Sequence, residues 1–329
     1  MKYIFFAFLA FLFSCKSSEV NTILVQNTGQ TQGTFYHIQY MSENGESYKN
    51  QIDSLLLEID SSLSTYVDFS IISRANRGEK VKVDQMFLNV FYAADKVFLE
   101  SEGLFDCSIA PLTNYWGFGP DNDVLKVDSV EVAKRLKLVD YSKLEIINDS
   151  LILPTGMQLD YNSIAQGYSV DVVADYLSSK GIVDYLVEIG GELTAKGVNS
   201  DSDFWWIGID KPSEETDYNS RYQIILPLEN SSLATSGNYR KYKEIDGIKY
   251  SHTISTETGY FAKNRMLSVT VIHPSCMLSD AYATAFMCMG IKKSKEFASD
   301  NPDLKLYFVY SDKNGNWETF STKNLEISE

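Results

Sequence analysis

The sequence has no CxxC pair, no paired histidines at metal-ligand spacing and no basic run, and each absence removes a class of function. Cys107, Cys276 and Cys288 are scattered and odd in number, so they read as buried free thiols rather than a disulfide frame or a zinc site. A formal charge of -15 without a basic stretch argues against a nucleic-acid partner, because phosphate-backbone binding needs clustered Lys and Arg. No GxSxG, HExxH, Walker A or GxGxxG fingerprint occurs, which sets aside the common hydrolase, zincin, P-loop and Rossmann chemistries. No Pro/Gly/Ser linker, repeat or low-complexity tract divides the chain.

Long apolar runs are also missing beyond the first residues, MKYIFFAFLAFLFSCKSSEV. There a Lys, a short apolar stretch and Leu12-Phe13-Ser14-Cys15 resemble an export signal (1–14) ending in a lipoprotein cleavage site, although Phe13 is bulkier than such a site usually carries. Cys15 is then the expected lipidated residue and 15–22 a polar tether; the alternative is an uncleaved N-terminal anchor. Both place residues 23–329 outside the cytoplasm at a membrane, in the cell envelope and facing the periplasm. About 300 residues suffice for one large domain or two intimately packed ones.

Alternation in TFYHIQY predicts a strand over 34–40, and Ile52, Leu55, Leu56, Ile59 and Leu63 recur at helical spacing. A second amphipathic helix is expected from Asp84 to Glu102, stopped by Gly103, followed by a loop FDCSIAPLTNYWGFGP, a short helix over 129–136 and a hairpin around LEIIN and LILP. A long helix is expected from Ser163 to Lys180, capped by Asn162 or Ser163 and stopped by Gly181. Strands then dominate (YLVEI, FWWIGID, YQIILPL, KYSHTIS, MLSVTVI), Asp280 is expected to open the last strong helix, and LYFVYS closes the core. Strands and helices without regular βαβ alternation point to an α+β fold.

Four segments carry more Gly, hydroxyl and carboxylate than a core requires. In LDYNSIAQGYSVD, Asp160 precedes a helix start and Gly167 lies within its first turns, where a close approach of backbone or ligand would justify the roughly 1 kcal/mol cost of an interior glycine. EIGGEL places a Gly pair directly after a strand, suited to a tight turn or a phosphate contact. ATSGNYRKY could cradle phosphate oxygens, but an ordinary turn is the simpler expectation. The fourth joins YSHTISTETGY to SDAYATAFMCMG. There His252 fits a half-buried structural histidine as well as a chemical role, and Asp280 and Thr284 fit a helix cap with back-bonding as well as a ligand pair.

Taken in order, TQGTFYHI, LSTYVDFSIISRAN, FDCSIAPLTNYWGFGP, LDYNSIAQGYSVD, IGGELTAKG, ATSGNYRKY, HTISTETGY and SDAYATAFMCMG resemble the ApbE family of FAD:protein FMN transferases, over about residues 31 to 290. The resemblance implies an ApbE-like α+β fold of mixed sheets and packed helices, with the ligand site at a seam between two subdomains. It implies FAD as substrate, Mg²⁺ as cofactor and transfer of FMN to a Thr or Ser hydroxyl of an acceptor, a flavoprotein subunit of a membrane redox complex, with release of AMP. A Mg²⁺-dependent FAD pyrophosphatase and a non-catalytic FAD-binding lipoprotein are the alternatives.

Carried onto this chain, the resemblance puts the metal against Asp280, Thr284 and backbone oxygen near Ser163 and Ala165, with Ala283 on the metal side where some relatives place a further carboxylate. It puts the flavin nucleotide against Gln32, Tyr66, Leu104, Phe105, Asp106, Asp160, Gln166 and His252. Tyr66 and Phe105 are candidates for ring stacking, and Asp160 for accepting from adenine or ribose donors. His252 is the candidate general base, while Asp280 is the catalytic metal-side carboxylate. Gln166 stands where many relatives have Lys or Glu, Gln32 where Met is frequent, and STETG where DPxTG is usual.

Overall fold

The computed structural model describes residues 22–120, 128–212, 221–238, 242–245, 248–251, 253–262 and 264–327. Cys15, His252, the signal segment and most of the expected tether lie outside the described residues.

Strands β1 (Ile23–Thr31) and β2 (Thr34–Ser42) form a hairpin whose two turn residues both have positive φ, 49° at Gln32 and 71° at Gly33. That turn hand suits the twist of paired strands, and glycine takes it freely, but Gln32 holds it against its own Cβ. Helices α1 (Lys49–Leu63), α2 (Ile71–Asn76) and α3 (Gln85–Glu100) follow. Asp84 caps α3 by accepting from the Phe87 N–H at 2.8 Å, and Phe87, Val90, Phe91, Ala94 and Val97 form its buried face. Next come α4 (Ala110–Tyr115), α5 (Ser129–Leu136), the small hairpin of β3 (Glu145–Ile147) and β4 (Ser150–Ile152), and α6 (Ala165–Ser179).

The strand-rich part comprises β5 (Tyr185–Ile189), β6 (Glu192–Lys196), β7 (Trp205–Asp210), β8 (Tyr222–Leu228), β9 (Ser231–Gly237), β10 (Tyr242–Ile245), β11 (Ile248–Ser251) and β12 (Met266–His273). Then α7 (Cys276–Asp300), β13 (Lys305–Ser311) and β14 (Trp317–Ser321) end the fold. An antiparallel sheet runs β1-β2-β5-β6-β9-β12-β13-β14. The side-chain period of two divides it cleanly. Tyr185, Val187, Ile189, Val269 and Val271 join α1, α3, α6 and α7 in the main core, whereas Leu193, Ala195, Leu233 and Ile272 pack beneath the β7–β8 hairpin on the other face. A third cluster of Leu112, Tyr115, Trp116, Val132, Ile254 and Phe261 ties α4 and α5 to the segment before β12.

The α+β architecture is as expected, and several elements differ: the stretch FDCSIAPLTNYWGFGP, expected as a loop, holds helix α4, with Pro111 in its first turn. Helix α7 begins at Cys276, so Asp280 lies in its second turn; Ser275 is the N-cap, accepting from the Leu278 N–H at 3.3 Å. Helix α6 begins at Ala165 after Ile164, and neither Asn162 nor Ser163 caps it. The first half of ATSGNYRKY is strand: Ala234 and Thr235 pair with Val271 and Thr270 of β12.

Candidate active site

Turns and helix starts meet at one end of the sheet: the Gln32–Gly33 turn, the Gly190–Gly191 turn joining β5 to β6, the end of β9, the start of α6 and the second turn of α7. At their centre is Asp280, only 6% exposed. Gly167 makes this burial possible. A Cβ there would lie 2.4 Å from the Cys276 carbonyl oxygen and 2.8 Å from the Asp280 Cβ, so only glycine lets α6 approach α7 this closely. The Gly167 N–H, an orphan donor of the first turn of α6, donates to Asp280 Oδ2 at 3.1 Å. Asp280 therefore caps α6 from the neighbouring helix.

Burial lifts the Asp280 carboxyl from its ordinary 3.8 to about 7, the Gly167 bond opposing it. A folded-state value above the unfolded one gives stability that is full below 3.8 and lost as pH rises through about 7. In cation-free protein Asp280→Asn is therefore expected to raise the melting temperature at pH 8, with the gap over wild type narrowing as pH falls toward 4. Thermal melts in EDTA across that range check this; a difference independent of pH would show that the Asp280 charge is not the cause.

Thr284, one turn on, is partly exposed and shares a hydrogen bond with Ser236 of β9 at 3.2 Å. Ala283, expected on the metal side, is fully buried in the main core and has no side-chain oxygen to offer a cation. The Ala165 carbonyl accepts from Ser169 Oγ at 2.8 Å, and that same hydroxyl accepts from Gln32 Nε2 at 2.7 Å. Gln32 is thus pinned across the start of α6. Gln166 donates to the Ile189 carbonyl at 2.9 Å, lying where a Gly190 Cβ would be.

The 104–108 loop supplies the other wall. Leu104 and Phe105 are buried, with Phe105 at 2% exposure in the main core, so its ring is not presented for the stacking expected of it. Asp106 is occupied within the protein: it accepts from Ser108 N at 2.7 Å, Ser108 Oγ at 2.6 Å and Tyr141 N at 3.1 Å, while burial raises its pKa. Asp160 is also raised by burial, partly offset by hydrogen bonds from Asn162 and Thr113. Tyr66, 59% exposed, has its phenol pKa raised by burial of the hydroxyl end and by the Asp160 charge. The adjacent Thr65 Oγ1 is buried with no hydrogen-bond partner among the described residues.

Cys107 joins the two walls. Its thiol is pushed far up by burial and by the charges of Asp106, Asp160 and Asp280, and it hydrogen-bonds Ser163. Cys107 is the buried free thiol expected from the sequence, but sequence patterns did not point to Ser169 or Asp171; the trace of Asp171 is its spacing of four from Gly167, which puts both on one face of α6.

The donor set available for a cation is one carboxylate, one hydroxyl and backbone oxygen. Among the described residues no group of three or more His, Cys, Asp or Glu side chains could hold a metal. This composition fits a small hard cation that completes its shell with water and phosphate oxygens, and does not fit zinc. A buried carboxyl with a raised pKa also favours a bound positive charge.

The structure is an α+β protein that gathers a buried carboxylate, hydroxyls and backbone oxygens around the contact of α6 with α7. The chain belongs to the ApbE family, whose model matches residues 32–308. It is similar to the FAD:protein FMN transferase of Vibrio cholerae, 40% identical over 299 residues and 88% of each chain. That of Haemophilus influenzae is 31% identical over 323 residues, 93% of this chain and 92% of the relative. Among solved structures, the flavin transferase ApbE from Vibrio cholerae matches with TM-score 0.82 and 35% identity over 92% of this chain and 98% of that one. The apo flavinyl transferase ApbE of Pseudomonas stutzeri matches with TM-score 0.82 and 34% identity over 92% and 95%.

Proposed function

We infer that this chain is an FAD:protein FMN transferase, moving FMN from FAD to a hydroxyl of an acceptor protein. The observation that carries the assignment is the buried carboxylate of Asp280, capping α6 within a family match over residues 32–308 to relatives of that name. We propose Mg²⁺ as the cation, held by Asp280, Thr284 and backbone oxygen near Ser163 and Ala165. When bound, it supplies Lewis-acid neutralisation of charge on the pyrophosphate.

The protein's own part is positioning, on which phosphoryl transfer chiefly depends. Ser236 orients the Thr284 hydroxyl, and Ser169 fixes Gln32 at the rim. In the Gly190–Gly191 turn the Gly191 position, with φ of 113° and nothing within 4 Å of a Cβ there, leaves backbone open to a phosphorylated ligand, while Gln166 fills the space beside Gly190. Asp160 and Tyr66 form the opposite wall, and the unpartnered Thr65 hydroxyl leaves a donor free there. The acceptor hydroxyl attacks the FMN-side phosphorus, a new P–O bond forms as the pyrophosphate bond breaks, and AMP leaves. His252 is proposed as the base that takes the hydroxyl proton.

Incubation with FAD, Mg²⁺ and a Thr-containing acceptor domain is expected to release AMP and add an FMN-sized mass to the acceptor. AMP with free FMN and no acceptor gain, for two unrelated acceptors, would instead identify an FAD pyrophosphatase. Stoichiometric FAD retention without AMP would identify a binding protein.

The acceptor is proposed to be a flavin-carrying subunit of a membrane redox system, and the chain itself a periplasm-facing lipoprotein anchored through Cys15. Support comes from the signal-like opening and from the position of Ile23. It pairs with Ser42 at the sheet end opposite the Gln32 turn, about 30 Å away along nine residues of strand, so a tether joined there attaches well away from that turn. Cys15→Ser is expected to move the protein from the membrane fraction to the soluble fraction; continued sedimentation with membranes would leave an uncleaved anchor as the explanation.

A further inference from the structure

Helices α6 and α7 cap one another. Asp280 of α7 accepts the Gly167 N–H of α6, and in return Asp171 of α6 accepts from the first two amides of α7, Cys276 N at 2.8 Å and Met277 N at 3.0 Å, and from Ser275 Oγ at 2.7 Å. Four residues separate Gly167 from Asp171 along α6, and four separate Cys276 from Asp280 along α7, so each helix presents one turn to the other. At Gly167 the two backbones already touch, which leaves no slack for rotation or sliding. A carboxylate at a helix N-terminus also meets the positive end of the helix dipole, so Asp171 is held by charge as well as by three donors.

From this geometry we infer that Asp171 is a positioning residue for the cation site: it fixes the rotation and height of α7 so that Asp280 and Thr284 face the start of α6. It touches neither substrate nor cation. This inference rests on the cation site proposed above. Asp171→Asn has nearly the same shape but places an NH₂ group against amide donors or gives up one of the two backbone bonds, so α7 loses its fixed register.

The experiment titrates Mn²⁺ into full-length protein containing FAD, following free Mn²⁺ by electron paramagnetic resonance, beside melting temperature and turnover at several Mg²⁺ concentrations. Asp171→Asn is expected to weaken Mn²⁺ binding by about 10- to 100-fold, the range for partners that orient metal ligands, and to recover most of its turnover at saturating Mg²⁺. Val309→Ala, buried in β13 two strands from β9, is the control for destabilisation alone and is expected to bind Mn²⁺ as wild type does. Wild-type affinity in Asp171→Asn, or an equal loss in Val309→Ala, would overturn the inference. If Asp171→Asn does not fold, Ser275→Ala removes one of the three bonds together with the Ser275 cap on the Leu278 N–H, both of which hold the start of α7, and is judged the same way: weakened Mn²⁺ binding supports positioning, unchanged binding refutes it. Equal Mn²⁺ binding by wild type and Asp280→Ala would instead overturn the cation site itself.

Discussion

Asp280→Ala is expected to lower AMP release and FMN attachment together by roughly a thousandfold or more, because several kcal/mol of charge stabilisation at about 1.4 kcal/mol per tenfold amounts to that much rate. The protein should nonetheless fold. Removing the carboxylate leaves the Gly167 N–H without its acceptor, a loss of about 1–3 kcal/mol, but it also removes a buried group whose charged form is disfavoured. The two changes oppose one another, so stability moves little while rate collapses. This separation distinguishes a site residue from a core residue. Coupled measurement of AMP by chromatography and acceptor mass by spectrometry decides the matter: retention of more than roughly a tenth of wild-type activity, a barrier change of under about 1.4 kcal/mol, would remove Asp280 from the chemistry.

The parts of this molecule that were legible in the sequence are those set by local chemistry. Helix α3 follows from the apolar spacing of Phe87, Val90, Phe91, Ala94 and Phe98 and from Gly103 after its end, while its Asp84 cap and the burial of Val97 come from the fold. The main-sheet strands follow from alternation, with Val269 and Val271 facing one core and Ile272 the other. The sequence puts the start of α7 too late, at Asp280: Ser275 caps the helix locally, but its first two amides are held by Asp171, more than a hundred residues earlier, and no local pattern announces that partner. Strand β9 reads as a turn in its second half because the strand is rich in hydroxyls, which the sheet satisfies across strands, Ser232 by Thr194 and Thr235 by Thr270. In the site, Asp280 and Thr284 were visible as an i, i+4 pair of oxygens, whereas Ser236, Ser169 and Cys107 acquire their places only from packing.

Gly167→Ala should cost activity out of proportion to stability. The added Cβ would stand 2.4 Å from the Cys276 carbonyl oxygen, about 1 Å inside ordinary contact, and a backbone atom cannot swing away as a side-chain tip can. The helices must part. Overpacking of this kind costs about 1–3 kcal/mol, offset by about 1 kcal/mol because alanine favours the helix interior over glycine, so the melting temperature should fall by only a few degrees. The same displacement draws the Gly167 N–H and Asp280 apart and shifts the oxygen set, and a misplacement of about 1 Å at a reacting centre can cost roughly a hundredfold in rate. Gly181, just past the other end of α6, provides the comparison. Its φ of +82° makes alanine strained there, yet nothing lies within 4 Å of the new Cβ. Gly181→Ala should therefore lose about 1 kcal/mol of stability and keep wild-type transfer. If the two variants lose activity in step with their melting temperatures, turnover follows helix stability in general; if only Gly167→Ala loses it, the close contact between α6 and α7 is what holds the site in register.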